Sequence, residues 1–436
     1  MKRSHVFTIL LLVVLVCAGW FSVLTGLGDP ASAEAKKQID TAGQYFEKGL
    51  FWKAGQEYFS AVLQTGTEEH WKNMLDAFAA SYAQGDDCYD DYLDAAQQAV
   101  QVYSHNEDFA MQLVSLYLDE EQYDKAMGVL KGALSAGIDS PAVLEKFTSV
   151  AYATKLEWGI YDEATPFVND YCQVYSNGGW SYMDMSGDLD KISSVKALGP
   201  VGDDDIRAMI YDGVTTLVDE DGVPQGIIHG AVEKVGVYAE DLIPVQRQGT
   251  YSYFSLIGDE QFGGYSMAGT FDDGLAAVQI NGTWQLIDRE GKTEAEGFQD
   301  IVLNNDGSWI CDHVMLAKKD GKYRIYSEKL ELVSDFSCDD VDVKCEDGWI
   351  AFCSGGKWGF VDEEGQVMIE PAYAEAKSFS NGLAAVYNGT AWGFVNANGQ
   401  VVIDCQYQDA GYFTEDGSCL VLTEDGWKLL TRFVTD

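Results

Sequence analysis

The quartet Trp-Gly-Phe-Val occurs twice, at Trp358–Val361 and at Trp392–Val395, 34 residues apart. Each copy runs into a short polar turn and then Gly-Gln-Val, at Gly365–Val367 and Gly399–Val401. Self-similarity of this period constrains the fold strongly, because a unit of about 35 residues cannot bury its own apolar face and must stack on its neighbours. Aligning on the residue that follows a Gly-containing turn extends the series to Thr215, Phe254, Trp284, Tyr323, Trp358, Trp392 and Trp427. Seven units result, separated by 30 to 39 residues.

Each unit reads as short strands joined by tight turns. A Gly-Leu-Ala-Ala-Val strand stands at 274–278 and again at 382–386, and Asn388-Gly389 or Gly355-Gly356 turns the chain. Such hairpins need positive φ, which Gly supplies. Side chains alternate along a strand, so Trp392, Phe394 and Asn396 share one face while Gly393 and Val395 share the other. One large aromatic per unit, at a constant place, suits continuous packing between neighbouring sheets. Gly359 and Gly393 are expected to relieve crowding where a second sheet crosses.

This pattern resembles the WG (KWG) repeat family, found chiefly in bacterial proteins. The form W-G-F-V-[DN]-x-x-G-x-V-I is complete only around Trp358 and Trp392, and the resemblance covers about residues 205–433. Three or four strands per unit, seven times, predict a propeller-like ring. An open array of hairpins is the alternative.

Residues 34–176 have a different rhythm. Apolar residues recur at spacings of three and four, as on amphipathic helices. Ala42, Tyr45, Gly49, Ala54, Tyr58 and Ala61 set a skeleton that returns at Val114, Tyr117, Ala126, Leu130 and Ala133. The lead tyrosines Tyr45, Tyr82, Tyr117 and Tyr152 fall 37, 35 and 35 residues apart. The fourth unit continues through Ala164, Val168 and Tyr171, with an insertion at Thr154–Asp162. This half resembles the tetratricopeptide repeat, a helical hairpin of 34 residues. The resemblance implies an α-solenoid of the kind that binds peptides in a concave groove. The expected organisation is therefore α plus all-β repeats: 1–33 a signal anchor or signal peptide, 34–176 helical repeats, 177–204 a Gly/Ser/Asp-rich linker, and 205–436 the WG-repeat β domain.

The N-terminus bears on placement. After Met1-Lys2-Arg3, Val6 to Leu24 is a run of 19 uncharged residues, near the ~20 that a helix needs to span hydrocarbon. The basic head predicts a cytoplasmic N-terminus with the bulk of the chain outside a single-pass cell-membrane anchor. The alternative is secretion after cleavage near Ala33, where Ala31 and Ala33 stand in an A-x-A arrangement. Eight Cys follow the apolar run, with no C-x-x-C. An exported chain permits disulfides among them, but single buried thiols fit the spacing equally.

Composition narrows the partners. Lys+Arg number 28 against 70 Asp+Glu, a net charge of −42. A nucleic acid needs a basic patch, and no basic run exceeds two residues, so nucleic-acid binding is excluded. None of the five His pairs with another at metal-ligand spacing, and no G-x-S-x-G, H-E-x-x-H or phosphate-binding loop occurs. Acidic turns begin at Asp219, Asp288 and Asp362, but Asn396 stands at the same place in the last copy. That favours turn formation over calcium binding.

The expectation is a non-catalytic scaffold or protein-binding repeat protein of a bacterial cell envelope, without cofactor or metal. Binding of cell-wall polysaccharide is the alternative, and an enzyme with an unrecognised site is a further one. The residues singled out are structural anchors: Trp284, Tyr323, Trp358, Gly359, Trp392, Gly393 and Trp427 in the β half, and the four lead tyrosines in the helical half. If Trp392 is core, Trp392→Ala costs about 3–5 kcal/mol in chemical denaturation, and a fully stable variant would reassign it to a binding surface.

Overall fold

The computed structural model describes residues 30–344 and 348–435. The apolar run 6–24, both readings of the N-terminus and Cys345 lie outside the described residues. The chain divides into a helical unit ending at Ala151 and a β unit beginning at Tyr152. Among the described residues no helix is long and apolar enough to cross a membrane.

The described part of the helical unit holds seven helices: α1 Pro30–Glu47, α2 Phe51–Thr65, α3 Glu68–Ala83, α4 Tyr89–Val102, α5 Glu107–Asp119, α6 Tyr123–Ser135 and α7 Pro141–Ala151. Short turns make three helical hairpins of the first six. Gly49, at φ +70°, closes the first of these turns, which only a residue tolerant of the left-handed region does without strain. The Thr67 hydroxyl accepts from the His70 amide at the start of α3, and the Asn106 carbonyl accepts from the Phe109 amide at the start of α5. The small residues of the repeat skeleton, Ala42, Ala54, Ala61, Ala96, Ala99, Ala126 and Ala133, are buried. The fourth hairpin does not form. Beyond α7 the chain turns to strands, and Ala164 and Tyr171 lie in the β unit.

The β unit is a closed ring of eight sheets, here called blades 1 to 8 in the order in which they begin after residue 160. Seven of the eight have four strands and blade 5 has three. Every blade opens with a strand of only two residues, from Glu163–Ala164 in blade 1 to Asp409–Ala410 in blade 8. Longer second and third strands follow, paired antiparallel. Ring closure is visible in the packing. Eight apolar clusters each join consecutive blades, and one of them sets Cys172, Val174 and Met183 of blade 1 against Leu420 and Leu429 of blade 8. Blade 8 takes its outermost strand, Thr154–Leu156, from the start of the unit.

Eight blades replace the seven expected units because the stretch 177–204 is not a linker. Gly178, at φ +79°, turns a hairpin between strands Tyr171–Ser176 and Gly179–Asp184, and the Gly/Ser/Asp content belongs to that turn and the next. Trp180 stands opposite Tyr175 as Trp392 stands opposite Tyr387, so it is the aromatic of the first blade. In blade 3 the equivalent residue is Tyr251, opposite Gln246, and not Phe254. Tyr251 packs toward blade 4 and Phe254 toward blade 2. In Thr250–Ser255 aromatics occupy both faces, which hid the register. The corrected series is 180, 215, 251, 284, 323, 358, 392 and 427, with spacings of 33 to 39.

The glycine of the Trp-Gly step has a cause inside its own blade. Trp392 pairs with Tyr407 and Phe394 with Ile403, so between these pairs the one residue Gly393 of the third strand stands opposite three of the fourth, Asp404, Cys405 and Gln406. The bulge presses on Gly393: a Cβ there would sit 2.7 Å from the Ile403 oxygen and 2.7 Å from the Cys405 nitrogen. At Gly359 the Ile369 oxygen would lie at 2.5 Å. The crowding comes from the fourth strand of the same sheet rather than from a second sheet. Gly393→Ala is expected to destabilise by about 1–3 kcal/mol because the obstacle is backbone. Gly128→Ala on α6, where no atom lies within 4 Å, should stabilise its helix by up to about 1 kcal/mol. Urea unfolding of the two variants beside the wild type checks the opposite signs.

Candidate functional site

The sequence-derived anchors occupy a single kind of place in the β unit. Trp284, Tyr323 and Trp392 are buried, and Trp180, Trp358 and Trp427 are half-buried. Each packs in or against the cluster that its blade shares with the next. Phe394 faces the Cys419 and Val421 side of blade 8, whereas Val395 faces Phe360 of blade 6. In the helical unit Tyr45, Tyr82 and Tyr117 sit on α1, α3 and α5. Tyr82 packs against Tyr89 and Tyr92, and the Tyr117 hydroxyl accepts from Gln97 at 2.8 Å. Tyr152 lies just past α7 and packs against the cluster of blades 7 and 8. None of these residues converges with another on a reactive group.

The acidic turns are occupied by their own backbone. The Asp219 carboxylate accepts from the Val223 amide, Asp288 from Glu290 and Lys292, and Asp362 from Gln366. Asn396 does the same for Asn398 and Gln400. An Asx side chain that closes its own turn explains why Asp and Asn interchange there.

What the repeat reading did not find is a cavity of about 500 Å³ on the face that carries the loops between first and second strands. Its wall draws on those loops in blades 1, 4, 5, 6, 7 and 8, so it lies at the mouth of the ring's axis. These loops end in residues of positive φ: Asn169-Asp170, Asp273-Gly274, Asp312-His313 and Asn381-Gly382. Asn, Asp and Gly tolerate that conformation best. The turn geometry therefore selects carboxylates and amides, and the ring gathers them around one opening. Asp170, Asp272, Asp306 and Glu415 line the cavity, with Asn169, Asn304 and Asn381 among them and Phe167, Tyr412 and Phe413 at their side.

The charges in the wall differ in how they are held. Lys344 is buried and bridges Asp312 at 2.7 Å and Glu363 at 3.0 Å. Desolvation pulls its ammonium pKa down, but the two carboxylates more than offset that and the net shift is upward. Tyr412 donates to Asp342, which also accepts from the Ser378 amide at 2.7 Å. Burial pushes the Asp342 carboxyl up against those hydrogen bonds. Lys377 donates to Asp409 at 2.9 Å and lies 5.3 Å from the Trp392 ring centroid, which ties the inner strand to the repeat anchor. Asp272 is raised above the ordinary 3.8, first by desolvation and then by Asp306, Glu240 and Asp273. No ion pair relieves Asp170, Asp272, Asp306 or Glu415 among the described residues. No group of three or more metal-ligating side chains occurs among the described residues.

A raised carboxyl pKa favours the protonated native state. Its contribution to stability is full below the unfolded pKa and is lost as pH rises through the folded one. Asp272→Asn removes that loss. The variant should melt above the wild type at pH 8, and the gap should close by about pH 4; an equal gap at both pH values would rule out the charge crowding as its cause.

The ring can be set beside known proteins. A family model described as "WG containing repeat" matches residues 159–180, 264–284, 358–389 and 392–427. No curated protein matches the chain at a significant level. Among solved structures, PorZ, a surface component of the type-IX secretion system of Porphyromonas gingivalis, aligns at 11% identity and TM-score 0.34, over 64% of this chain and 46% of that one. The extracellular domain assigned to a hybrid two-component system of B. thetaiotaomicron aligns at 9% identity and TM-score 0.34, over 58% and 44%. The WD40 domain of Neurospora crassa Pan2 aligns at 10% identity and TM-score 0.35, over 63% and 89%. The chain thus spans less than half the length of the first two, and likeness at this level carries no functional weight. Residues 152–435 form a β-propeller of eight blades in which four stretches match the WG containing repeat.

Proposed function

We propose that the protein is a non-catalytic scaffold of a bacterial cell envelope, and that the axial mouth of its propeller receives a basic, extended segment of a partner protein. One observation carries this reading: six blades converge on a cavity whose carboxylates at Asp170, Asp272, Asp306 and Glu415 have no basic partner among the described residues, beside the half-buried rings of Phe167 and Tyr412. A lysine or arginine entering there would meet uncompensated charge and ring faces together. Two serine hydroxyls in the cavity wall are tied down. The Ser380 hydroxyl donates to the Phe413 carbonyl, and the Ser308 hydroxyl is within bonding distance of Asp306 and the Ile310 carbonyl. That supports binding rather than catalysis. The apolar run 6–24 supports membrane attachment with the propeller outside.

A second reading is recognition of a wall glycan. It draws on Trp158, whose side chain is 91% exposed and presents a flat indole to solvent. A single assay separates the two. Full-length protein in nanodiscs is exposed to Lys/Arg-rich, neutral and acidic peptides and to a panel of wall glycans. Salt-sensitive binding of the basic peptides, weakened roughly threefold to tenfold by Asp272→Asn with Asp306→Asn, is the expected result. Glycan binding that Trp158→Ala abolishes, with no peptide retained, would replace the first reading by the second. The membrane component is checked separately: the full chain should stay with vesicles through a high-salt wash.

A further inference from the structure

Seven of the eight blades make their outer edge from the chain that follows the third strand. In blades 1, 2, 4, 6 and 7 an Asx-capped turn joins the two, at Asp184, Asp219, Asp288, Asp362 and Asn396. Blade 8 has no such tether. Its third strand, Gly426–Arg432, lies near the chain's last described residue, and its outer strand arrives from residues 153–161. Thr154, Lys155 and Leu156 face Arg432, Thr431 and Leu430. Two further bonds extend the ladder, from the Glu157 amide to the Leu429 carbonyl at 2.8 Å and from the Phe433 amide to the Ala153 carbonyl at 3.0 Å.

This closing strand follows the pattern of blade 7 but lacks half of its anchorage. In blade 7, Tyr407 and Ile403 flank the bulge and both are buried. In blade 8 the corresponding residues are Tyr161, opposite Trp427, and Glu157, opposite Leu429. Tyr161 is buried among Cys172, Val174 and Leu429. Glu157 is only half-buried and pairs with Lys155 at 3.0 Å. No residue from 151 to 160 is buried. Leu156, Trp158 and Ile160 are all exposed, and Trp158 stands in the bulge, where blades 6 and 7 place Glu370 and Asp404.

We infer that residues 153–157 are a releasable strap: they detach from the third strand of blade 8 while Tyr161 stays seated, so the ring has one built-in opening at its outer edge. Release breaks a short ladder and exposes almost no new apolar side chain, whereas the outer strand of a blade with an Asx-closed turn stays tethered beside its third strand when it unpairs, which favours re-pairing. The strap begins two residues after α7, so displacement of that helix acts on it directly through the chain. The freed edge of Gly426–Arg432 presents unpaired backbone groups, as an edge strand does.

Hydrogen exchange on the full chain tests this. The amides of Glu157 and Phe433 should exchange at least about tenfold faster than the ladder amides of Val401–Tyr407 in blade 7. Thr154 and Arg432 form a non-hydrogen-bonded pair, the geometry that a cross-strand disulfide suits. In Thr154→Cys/Arg432→Cys, oxidation should slow strap exchange to the level of blade 7, and reduction should restore it. Wild-type strap amides as protected as those of blade 7 would overturn the proposal, whatever the double variant does. So would strap exchange that is fast but unchanged by the oxidised crosslink.

Discussion

The fold rests on what lies under the bulge where the fourth strand of a blade crosses its third. A propeller blade twists strongly, and a bulge lets the outer strand follow that twist while its large residues still reach the next blade. Where the bulge forms beside the aromatic, the crossing leaves no room for a side chain on one of the two strands. Blades 6 and 7 resolve this on the third strand, with Gly359 and Gly393. Blades 3 and 4 resolve it on the fourth, where Gly264 and Gly297 take φ of +95° and +90° inside a one-residue bulge. Blade 8 has Lys428 on the third strand and a glycine, Gly159, in the bulge itself. Blade 5 carries Arg324 at this position, and there the covering chain is irregular, held through Val333 and Cys338. The Trp-Gly dipeptide is one of several solutions to a single steric problem.

This explains how much of the ring was legible. Where glycine follows the aromatic on the third strand, the repeat reads off directly, and Trp358 and Trp392 define it. Where the glycine moves to the neighbouring strand, the dipeptide disappears although the geometry persists, and only spacing remains. Blade 1 pairs regularly without that bulge, so Ser181 follows Trp180 and nothing marks the unit. Its hairpin therefore read as a linker. The sequence Trp158-Gly159 misleads in the other direction. It has the family dipeptide but sits on an outer strand, only 22 residues before Trp180, and it followed a helical rhythm closely enough to pass for an insertion. The strand it belongs to pairs with residues some 270 positions away, a contact that no local pattern announces.

The helical half was legible where small residues let helices approach and invisible at its end. Ala126, Leu130 and Ala133 return the skeleton of Ala54, Tyr58 and Ala61, and all six are buried between helices. Tyr152, Ala164, Val168 and Tyr171 happen to continue the spacing. Apolar residues three, four or seven apart satisfy a helix pattern, yet strands separated by turns produce the same intervals by chance. The discriminating signal was available: Gly159, Pro166 and the Asn169-Asp170 pair break any helix across this stretch.

The charge of −42 takes on a physical origin from the turns. Two sets of turns repeat around the ring. One needs a side-chain acceptor to close on its own amides, and the other needs residues that accept positive φ. Asp and Asn serve both, and lysine and arginine serve neither. Antiparallel strands put the first-to-second loops and the third-to-fourth turns at the same face, so a propeller built this way accumulates carboxylates there before any ligand is considered. The candidate site is therefore not the acid content as such. It is a place where convergence at the axis brings carboxylates of different blades together without a basic partner among the described residues, and Asp272 there is shifted upward by desolvation first and then by Asp306 and Glu240. Turn chemistry supplies the residues, ring closure concentrates them, and the loops that differ between blades decide what enters.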